Sequence, residues 1–430
     1  MDNKFDIAII GGGVSGCACA FIASKLGLNT LLVEKNNYLG GLATGGLVIP
    51  MMKTESKNLN IEFYNNLISY CQKFSANINY KNENAGWFNP ILLKIVLEQM
   101  ILNSGAKILF ETEIKNIKFT SDNHYEFCIE NNSPYTKNNE SILSLPIYSK
   151  YIVDGTGSGE ICKKLGAKFL NKNKKNQPAT LRFILSNVNT NKFVEFLKTL
   201  NESEDKTSYE YIDNEWHFTT AYTWDTNASW ALEPFFKKGL EDGVLKENDL
   251  EYFQLFSIAK MPNSVAFNCP RLRDTQNSLF SHSNALIEAR LAILRIANFM
   301  KKYISGFESS YISNIANLTG TRESGRVECE YEFKAEDIVN QKTFNDKVLH
   351  SNYPIDIHSN EKNSSVLSGN FNYEFPLRSL KVKGFKNLYS IGKCLGADFE
   401  SHASLRIQKT CMSTGEAVAR AIREEIDSGV

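Results

Sequence analysis

A glycine cluster near the start of the chain, Gly11-Gly12-Gly13-Val14-Ser15-Gly16, constrains the fold more than any other segment. It follows a short apolar run, residues 5–10, that is typical of a buried parallel strand, and it precedes small residues that are typical of a closely packed helix. In the spacing GxGxxG, Gly11 permits a tight turn, Gly13 lets the backbone approach a diphosphate, and Gly16 lets the helix pack on the strand. The pattern predicts a βαβ unit that binds a dinucleotide.

An acidic residue at the end of the next predicted strand strengthens this prediction. Glu34 follows the glycines by about 20 residues, the spacing at which a carboxylate accepts hydrogen bonds from an adenosine ribose. The negative charge would repel a 2′-phosphate, which argues against NADP in this pocket. Val14 and Ser15, at the helix N-terminus that faces the phosphates, and Lys35 are predicted to line the same pocket.

Composition excludes several classes of function. The 430 residues include 48 Lys and Arg and 48 Asp and Glu, so no broad basic field for nucleic acid is expected. No run of about 18 apolar residues predicts a membrane span, and no apolar leader is recognised at the N-terminus. The nine cysteines contain no CxxC pair, which favours reduced thiols in a cytoplasmic protein and predicts no bound metal.

The order of sequence patterns predicts that the chain leaves one domain and returns to it. Residues 1–167 are predicted to form the first part of a nucleotide-binding domain, with a β-meander inserted over residues 113–150. Residues 168–375 are richer in aromatic side chains and mix strands with helices, which predicts a substrate domain. Residues 376–430 resume the strand-then-glycine pattern. The predicted fold class is therefore α/β, a Rossmann-type domain with an inserted meander plus a mixed α/β substrate domain.

A pair of glycines that follows Glu34 is the basis of a resemblance to a known superfamily. After Glu34 the chain continues through Tyr38-Leu39 to Gly40-Gly41-Leu42-Ala43-Thr44. This segment resembles the extension that follows the first glycine motif in flavoproteins of the glutathione-reductase type. In those proteins the paired glycines let the backbone lie against the diphosphate and ribitol of an extended FAD. The resemblance implies that FAD is the cofactor and that residues 40–44 lie beside it.

Two later segments resemble the remaining FAD motifs of these flavoproteins. Asp154-Gly155-Thr156-Gly157 resembles the second motif, near the adenine side, where Ile114 is also expected to line the site. Asn387–Gly392 resembles the third motif, near the ribitol. A helix predicted over Ser413–Ile426 would direct its N-terminus, at Gly415, toward the flavin.

The third motif departs from the superfamily pattern. Its members often carry a Gly-Asp pair, whereas this chain has Gly392-Lys393. The ribitol contact that the aspartate makes is therefore in doubt, and Asp398 and Glu400 are the candidates to replace it.

Three segments resemble the bacterial FAD-dependent oxidoreductase family, which is related to the same superfamily. They are Arg322–Arg326, Phe375–Leu380 and Arg406–Gln408. The resemblance implies an enzyme whose flavin accepts hydride at N5. It extends only loosely over residues 168–310, so it implies little about the substrate.

Four residues are candidates for the chemistry. Arg322, Arg326 and Arg406 could hold a substrate carboxylate or carbonyl through paired donors, and Arg406 is also expected beside the flavin. The alternative for each is a structural salt bridge. His402 lies in the segment expected to pass the flavin, where a histidine could act as a general base. A histidine with only a packing role is an equal alternative.

The sequence favours a dehydrogenase or oxidase that moves hydride from a C–OH, C–N or C–C bond of a small molecule to flavin N5. No second GxGxxG is present for a separate NAD(P)H domain, which disfavours a disulfide reductase. The alternatives are a flavin-dependent monooxygenase that uses NAD(P)H and O2, a non-catalytic FAD-binding protein, and an NAD-dependent dehydrogenase without flavin. The electron acceptor is not indicated, and a homodimer is one of the oligomeric states left open.

Overall fold

The computed structural model has an α/β architecture with two large sheets. It describes residues 3–52, 54, 59–74, 77–79, 85–131, 146–170, 177–200, 206–223, 230–273, 278–358, 365–367 and 371–429. The first sheet is mixed with a parallel centre, and the second is antiparallel. The predicted fold class is confirmed.

The first sheet has seven strands and contains the predicted βαβ unit. Its strands run in the order Lys107–Leu109, Thr30–Val33, Lys4–Ile10, Ile147–Asp154, Tyr125–Asn131 and Thr112–Phe119, and Leu388–Ser390 pairs beside Ile147–Asp154. Lys4–Ile10 is parallel to both of its neighbours. Thr112–Phe119 and Tyr125–Asn131 pair antiparallel and form the predicted inserted meander. Leu388–Ser390 is parallel to Ile147–Asp154, so the end of the chain returns to the sheet as the sequence predicted.

The helix Val14–Lys25 packs against the sheet and against the last helix, Gln408–Asp427. Its buried face is built from small residues such as Cys17 and Ala18. Gly415, inside the last helix, makes the close approach of the two helices feasible, because a Cβ there would collide with the carbonyl oxygen of Ser15. The last helix begins five residues before the predicted Ser413, and Gly415 is therefore not at its N-terminus.

The helix Pro90–Ser104 begins after a capping asparagine and ends at a glycine. Oδ1 of Asn89 accepts hydrogen bonds from the backbone N–H groups of Ile91 at 3.0 Å and Leu92 at 3.2 Å, which satisfies two donors of the first turn. Gly105 adopts a φ of 94°, a left-handed conformation that ends the helix.

The second sheet has six antiparallel strands and a largely aromatic core. Its strands run in the order Thr207–Ile212, Glu215–Thr223, Tyr252–Ser257, Ser264–Phe267, Phe183–Ser186 and Tyr311–Ile315. Phe183 and Phe267 stack with ring centroids 4.5 Å apart. The aromatic residues Phe218, Trp230 and Phe236 lie in the same buried cluster. They stabilise the middle of the chain as core residues.

The described residues also form further α-helices and short strands outside the two large sheets. The other helices are Glu62–Lys73, Glu160–Lys164, Thr190–Leu200, Glu233–Glu241, Leu279–Tyr303, Ala335–Val339 and Phe399–Leu405. The short strands are Met51–Met52, Asn77–Asn79, Ala85–Phe88, Ala179–Thr180, Arg271–Leu272, Lys347–Ser351, Ile355–Ile357, Ser365–Leu367 and Tyr373–Pro376.

Hydrophobic packing groups the chain into clusters that do not follow sequence order. Phe333, Leu349 and Phe375 belong to the same buried cluster as the first helix, whereas residues 181–316 supply most of the cluster around the second sheet. The predicted domain limits at residues 167 and 375 stay predictions. Within the described ranges, no helix combines the length and apolar character that crossing a bilayer requires.

Candidate active site

A cavity of about 380 Å³ lies at the carboxyl ends of the parallel strands. Ile10 and Val33, each at the end of its strand, lie in its wall, together with Gly155 and Gly392, which follow two further strands. Ligands of open α/β sheets bind at this edge, where the connections that follow neighbouring strands lead to opposite faces of the sheet. The topology therefore brings segments from both ends of the chain to one cavity.

The first glycine turn forms one wall of the cavity. Gly11 adopts a φ of 107°, and a Cβ on it would approach the carbonyl oxygen of Gly155 to 2.5 Å. Gly13 differs because its φ of −65° suits any residue, and a Cβ there would meet no protein atom within 4 Å. A side chain at Gly13 would therefore enter open space in the cavity, at the N-terminus of the first helix, where free N–H groups favour an anion.

Several predicted cofactor residues do not line the cavity. They fix the backbone of the turns that form its wall. A Cβ on Gly16 would collide with the carbonyl oxygen of Gly11. Oγ1 of Thr44 donates to the carbonyl oxygen of Leu39 at 2.6 Å. The buried carboxylate of Asp154 accepts hydrogen bonds from the backbone N–H groups of Thr156 at 3.0 Å and Ile161 at 2.9 Å. These contacts hold the turns that face the cavity.

Glu34 is a buried carboxylate, 5% exposed, in the wall of the cavity. Its Oε2 accepts a hydrogen bond from the backbone N–H of Gly12 at 2.7 Å, and its Oε1 accepts from the backbone N–H of Asn36 at 2.8 Å. These bonds hold the carboxylate in one orientation. Nδ2 of Asn36 also donates to Oε1, at 2.6 Å. Since a carboxylate has about four lone-pair sites, Glu34 retains capacity to accept from one ribose hydroxyl group.

Most of the other predicted cofactor residues also line the cavity. They are Val14, Ser15, Lys35, Gly40, Gly41, Leu42, Ala43, Ile114, Thr156, Gly157 and Arg406. Gly415 does not line the cavity, because the last helix begins at Gln408 and places this glycine against Ser15. The predicted helix N-terminus at residues 413–415 is therefore wrong.

Lys393, and not a nearby carboxylate, lines the cavity beside the third motif. Its amine donates to the carbonyl oxygen of Thr321 at 2.9 Å, and burial lowers its pKa to about 8. Asp398 caps the helix Phe399–Leu405 by accepting from the N–H of Ser401 at 2.8 Å, and Glu400 is exposed. Neither carboxylate replaces the missing aspartate at the cavity.

His402 lies behind Lys393 and does not line the cavity. Its side chain is fully buried, and Nε2 donates to the carbonyl oxygen of Lys393 at 2.8 Å. Burial, followed by the nearby Arg406 charge, lowers the pKa of His402 to about 3 even though the Lys393 carbonyl opposes that change. The imidazole is therefore neutral near pH 7 and positions the backbone after Gly392.

Arg326 forms the structural salt bridge that the sequence left open. Its Nε donates to Oε1 of Glu323 at 2.7 Å, and its Nη1 donates to the carbonyl oxygen of Ala397 at 2.8 Å. Both side chains are buried, and Arg326 does not line the cavity. The pair connects residues 323–326 to the segment that precedes the helix Phe399–Leu405.

Arg322 and Arg406 do line the cavity. Arg322 donates through Nη1 to the carbonyl oxygen of Pro178, and Nη2 of Arg406 donates to the carbonyl oxygen of Asp356 at 3.0 Å. Burial, reinforced by the charge of Arg406, lowers the pKa of Arg322 to about 9. Arg322 therefore remains charged at neutral pH, and the two guanidinium groups face a common space.

Arg182 is a further cavity residue that the sequence analysis did not single out. It lies directly before the strand Phe183–Ser186, inside the apolar run Leu181–Leu185. A charged residue within a buried apolar run was the available signal, because burying an unpaired charge is unfavourable. No motif surrounds it, and its nearness to Arg322 and Arg406 arises only from the fold.

Together, the turn at Gly11 and Gly13, called the glycine wall below, and the buried Glu34 give the cavity features that suit a dinucleotide. The space in front of Gly13 has no protein side chain, as close approach of a diphosphate requires, so the described residues fit FAD. A model of the family described as FAD dependent oxidoreductase matches residues 6–430. The chain belongs to this family, and FAD is its cofactor.

Similarity to curated proteins covers only part of each chain. Thiamine thiazole synthase from Pyrococcus horikoshii is 25% identical over 161 residues, 36% of this chain and 58% of that protein. Ferredoxin–NADP reductase from Malacoplasma penetrans is 28% identical over 156 residues, 36% of this chain and 37% of that protein. The chain thus spans less than two thirds of the length of these relatives.

A solved structure supports the fold across the whole chain. The flavin-dependent monooxygenase PieE, crystallised with FAD and substrate, has a TM-score of 0.50 with 9% identity, covering 99% of this chain and 59% of that chain. This likeness concerns the fold alone. The family and the fold are therefore defined more narrowly than the reaction.

Proposed function

We propose that this family member is a dehydrogenase or oxidase that removes hydride from a C–OH, C–N or C–C bond of a small molecule. FAD, when bound, supplies the hydride-accepting N5. One observation supports the proposal most directly: the cavity that contains the glycine wall also contains the guanidinium groups of Arg322 and Arg406. A polar substrate group can therefore be held in the same cavity as the cofactor.

We assign the glycine wall and Glu34 to binding of FAD. The N–H groups around Gly13 and at the start of the first helix would hold the diphosphate. The carboxylate of Glu34, already oriented by Gly12 and Asn36, would accept hydrogen bonds from the adenosine ribose. The amine of Lys393 adds a positive charge to the cavity. These groups bind and orient the cofactor and leave the substrate end to other residues.

Arg322 and Arg406 are assigned to the substrate. Guanidinium groups hold carboxylate or carbonyl oxygens with defined geometry. They would fix the orientation of the carbon that loses hydride, an effect that depends on a reacting distance of about 3–3.5 Å. His402 is not assigned as the base, since its Nε2 is engaged with Lys393 and its side chain does not line the cavity.

Anaerobic reduction of the bound flavin tests the proposal. The purified holoprotein is mixed with a panel of alcohols, amines and organic acids, and the flavin absorption spectrum is followed. At least one donor is expected to bleach the oxidised flavin without added NAD(P)H. The Gly13→Val variant is the control for reduction that does not involve bound FAD.

Two results would contradict this assignment. Flavin reduction only by NAD(P)H, followed by oxygen insertion into a substrate, would identify a monooxygenase. Failure of every donor to reduce fully bound FAD would favour a non-catalytic flavoprotein.

A further inference from the structure

Arg182 is a buried cation with no described counter-charge of its own. Its residue exposure is 8%, it lines the cavity, and its Nε has no hydrogen-bond partner. Within the described residues, none accepts a hydrogen bond from its guanidinium group. Burial lowers the pKa of Arg182 to about 10, so the group is still protonated at neutral pH. Such a charge is unfavourable in a protein interior unless a ligand compensates it.

Other arginines increase the positive charge around Arg182. Arg406 and Arg322 line the same cavity, and both interact electrostatically with Arg182. Arg271 does not line the cavity, but its charge acts on Arg322, and its guanidinium group lies 5.2 Å from the ring centroid of Tyr252. The four arginines come from separate elements of the chain, so the tertiary fold alone creates this concentration of charge.

The negative charge described near the arginines is smaller. Asp356 approaches Arg406, with Nη2 and Oδ2 3.5 Å apart. Burial opposes ionisation of Asp356, but His358, Arg406 and Arg322 lower its pKa to about 2. Glu323 is already paired with Arg326. In the described part of the chain, Asp356 is the ionised carboxylate beside these guanidinium groups, so positive charge exceeds negative charge around Arg182. The carboxylates in the cavity wall, Glu34, Glu113 and Glu160, come from the first sheet or from segments that follow its strands.

We propose that Arg182 anchors a carboxylate of the substrate, with Arg322 and Arg406 beside it, so that the substrate is a small organic acid. The planar fork of a guanidinium group matches the two oxygens of a carboxylate. This inference rests on the proposed function, because it places the acid in the cavity assigned to cofactor and substrate. It goes further by naming the substrate class and a recognition residue outside every sequence motif.

The alternative ligand for Arg182 is the diphosphate of FAD itself. The two possibilities differ in location, because Gly13 and the first helix form the glycine wall, whereas Arg182 precedes a strand of the second sheet. FAD content decides between them. A cofactor ligand would lower FAD content when removed, whereas a substrate anchor would leave it unchanged.

Ligand binding to the holoprotein tests the proposal without turnover. Wild-type protein and the Arg182→Met, Arg182→Lys and Arg290→Met variants are titrated with succinate, inorganic phosphate and uncharged succinamide. The readouts are the flavin difference spectrum and the melting temperature, which rises when a ligand binds the folded state. Arg290 is exposed, so its variant is the control for loss of one positive charge.

The expected results are specific to the carboxylate and to Arg182. Succinate should bind the wild type and Arg290→Met equally, and Arg182→Met more weakly by roughly tenfold or more, the loss typical of a hydrogen bond to a charged group. The succinate affinity of Arg182→Lys should lie between those of the wild type and Arg182→Met, since lysine keeps the charge but not the planar fork. The Arg182→Met protein should retain FAD and melt no earlier than the wild type when no ligand is present, because an unpaired buried charge is removed.

Three results would overturn the proposal. They are equal succinate affinity in Arg182→Met and wild type, tighter binding of phosphate than of succinate, and loss of FAD from Arg182→Met. Failure of the proposed function would give a different result from failure of the Arg182 inference. If no donor reduced the flavin while succinate binding still depended on Arg182, the dehydrogenase assignment would fall and the carboxylate site would stand.

Discussion

Nε2 of His402 donates a hydrogen bond to the carbonyl oxygen of Lys393 over 2.8 Å. The bond joins a fully buried histidine to the residue whose amine lines the cavity. A carbonyl oxygen only accepts, so Nε2 carries the hydrogen and the neutral imidazole already satisfies this contact. His402 therefore acts on the site by positioning the backbone of Lys393.

The first prediction concerns the role of His402 in acid stability. The pKa of His402 is about 3, against 6.5 for an unperturbed histidine. As the pH falls below 6.5, the unfolded chain takes up a proton that the folded protein does not, so stability decreases toward pH 3 by at most about 1.4 kcal/mol per pH unit. His402→Gln should reduce this slope in denaturant unfolding, whereas the same change at the exposed His282 should not.

The same variant separates a positioning role from a general-base role. His402→Gln should leave the pH dependence of flavin reduction near neutrality unchanged, because the native imidazole does not titrate there. Loss of an inflection between about pH 5 and 8, the range in which an accessible histidine changes charge, would instead identify His402 as a base.

The second prediction separates cofactor binding from folding at two neighbouring glycines. Gly13→Val should fold normally and lose FAD, because the added side chain meets no protein atom and fills the space in front of the helix N-terminus. Gly16→Val should destabilise the fold itself, since its Cβ would collide with the carbonyl oxygen of Gly11. FAD content and circular dichroism of both purified proteins test this contrast. Recovery of a yellow, fully loaded Gly13→Val protein would refute the assignment of the glycine wall.

The third prediction concerns the charge of Lys393. Its amine is protonated below its pKa of about 8 and neutral above it. FAD is anionic, so its affinity for the apoprotein should decrease as the pH rises through about 8. Lys393→Met should bind FAD more weakly at neutral pH, by about tenfold to a hundredfold, the range for loss of one charged contact. The dissociation constant is measured by fluorescence titration.

Two comparisons make the Lys393 experiment decisive. The decrease in affinity above pH 8 should be absent from Lys393→Met, which has no amine to deprotonate. Lys383→Met is the matched control, because Lys383 is exposed and paired with Glu328. A variant at Lys393 that bound FAD like the wild type at every pH would show that the amine does not contact the cofactor.

The fourth prediction distinguishes two arginines that the sequence treated alike. Arg406→Ala should reduce the rate of flavin reduction by substrate, by about tenfold or more, while FAD content stays unchanged. Arg326→Ala should mainly destabilise the protein, by about 3–5 kcal/mol, because Glu323 would be left buried without its partner. Stopped-flow reduction and denaturant unfolding measure the two effects. Equal losses of rate and stability in both variants would contradict this division.

The local features of the fold were predictable where neighbouring residues decide them. The turn at Gly11–Gly16, the cap at Asn89 and the stop at Gly105 depend on backbone conformation and on donors a few residues away. Glu34 was identified for a similar reason, since its distance along the chain from the glycine turn is set by one βαβ unit. The start of the last helix was not predicted correctly, because residues 408–412 carry no strong capping signal.

The amino-acid sequence alone determined the nucleotide-binding strand–turn–helix and the α/β class, because these follow from short-range geometry and periodicity. It indicated the FAD family through the resemblance of its motifs to those of known flavoproteins. Tertiary structure decided which charged groups share the cavity. It placed Lys393 and Arg182 in the lining of the cavity, whereas His402 and Arg326 are buried outside that lining. Burial and electrostatic proximity depend on contacts between residues far apart in the chain, and no local pattern encodes those distances.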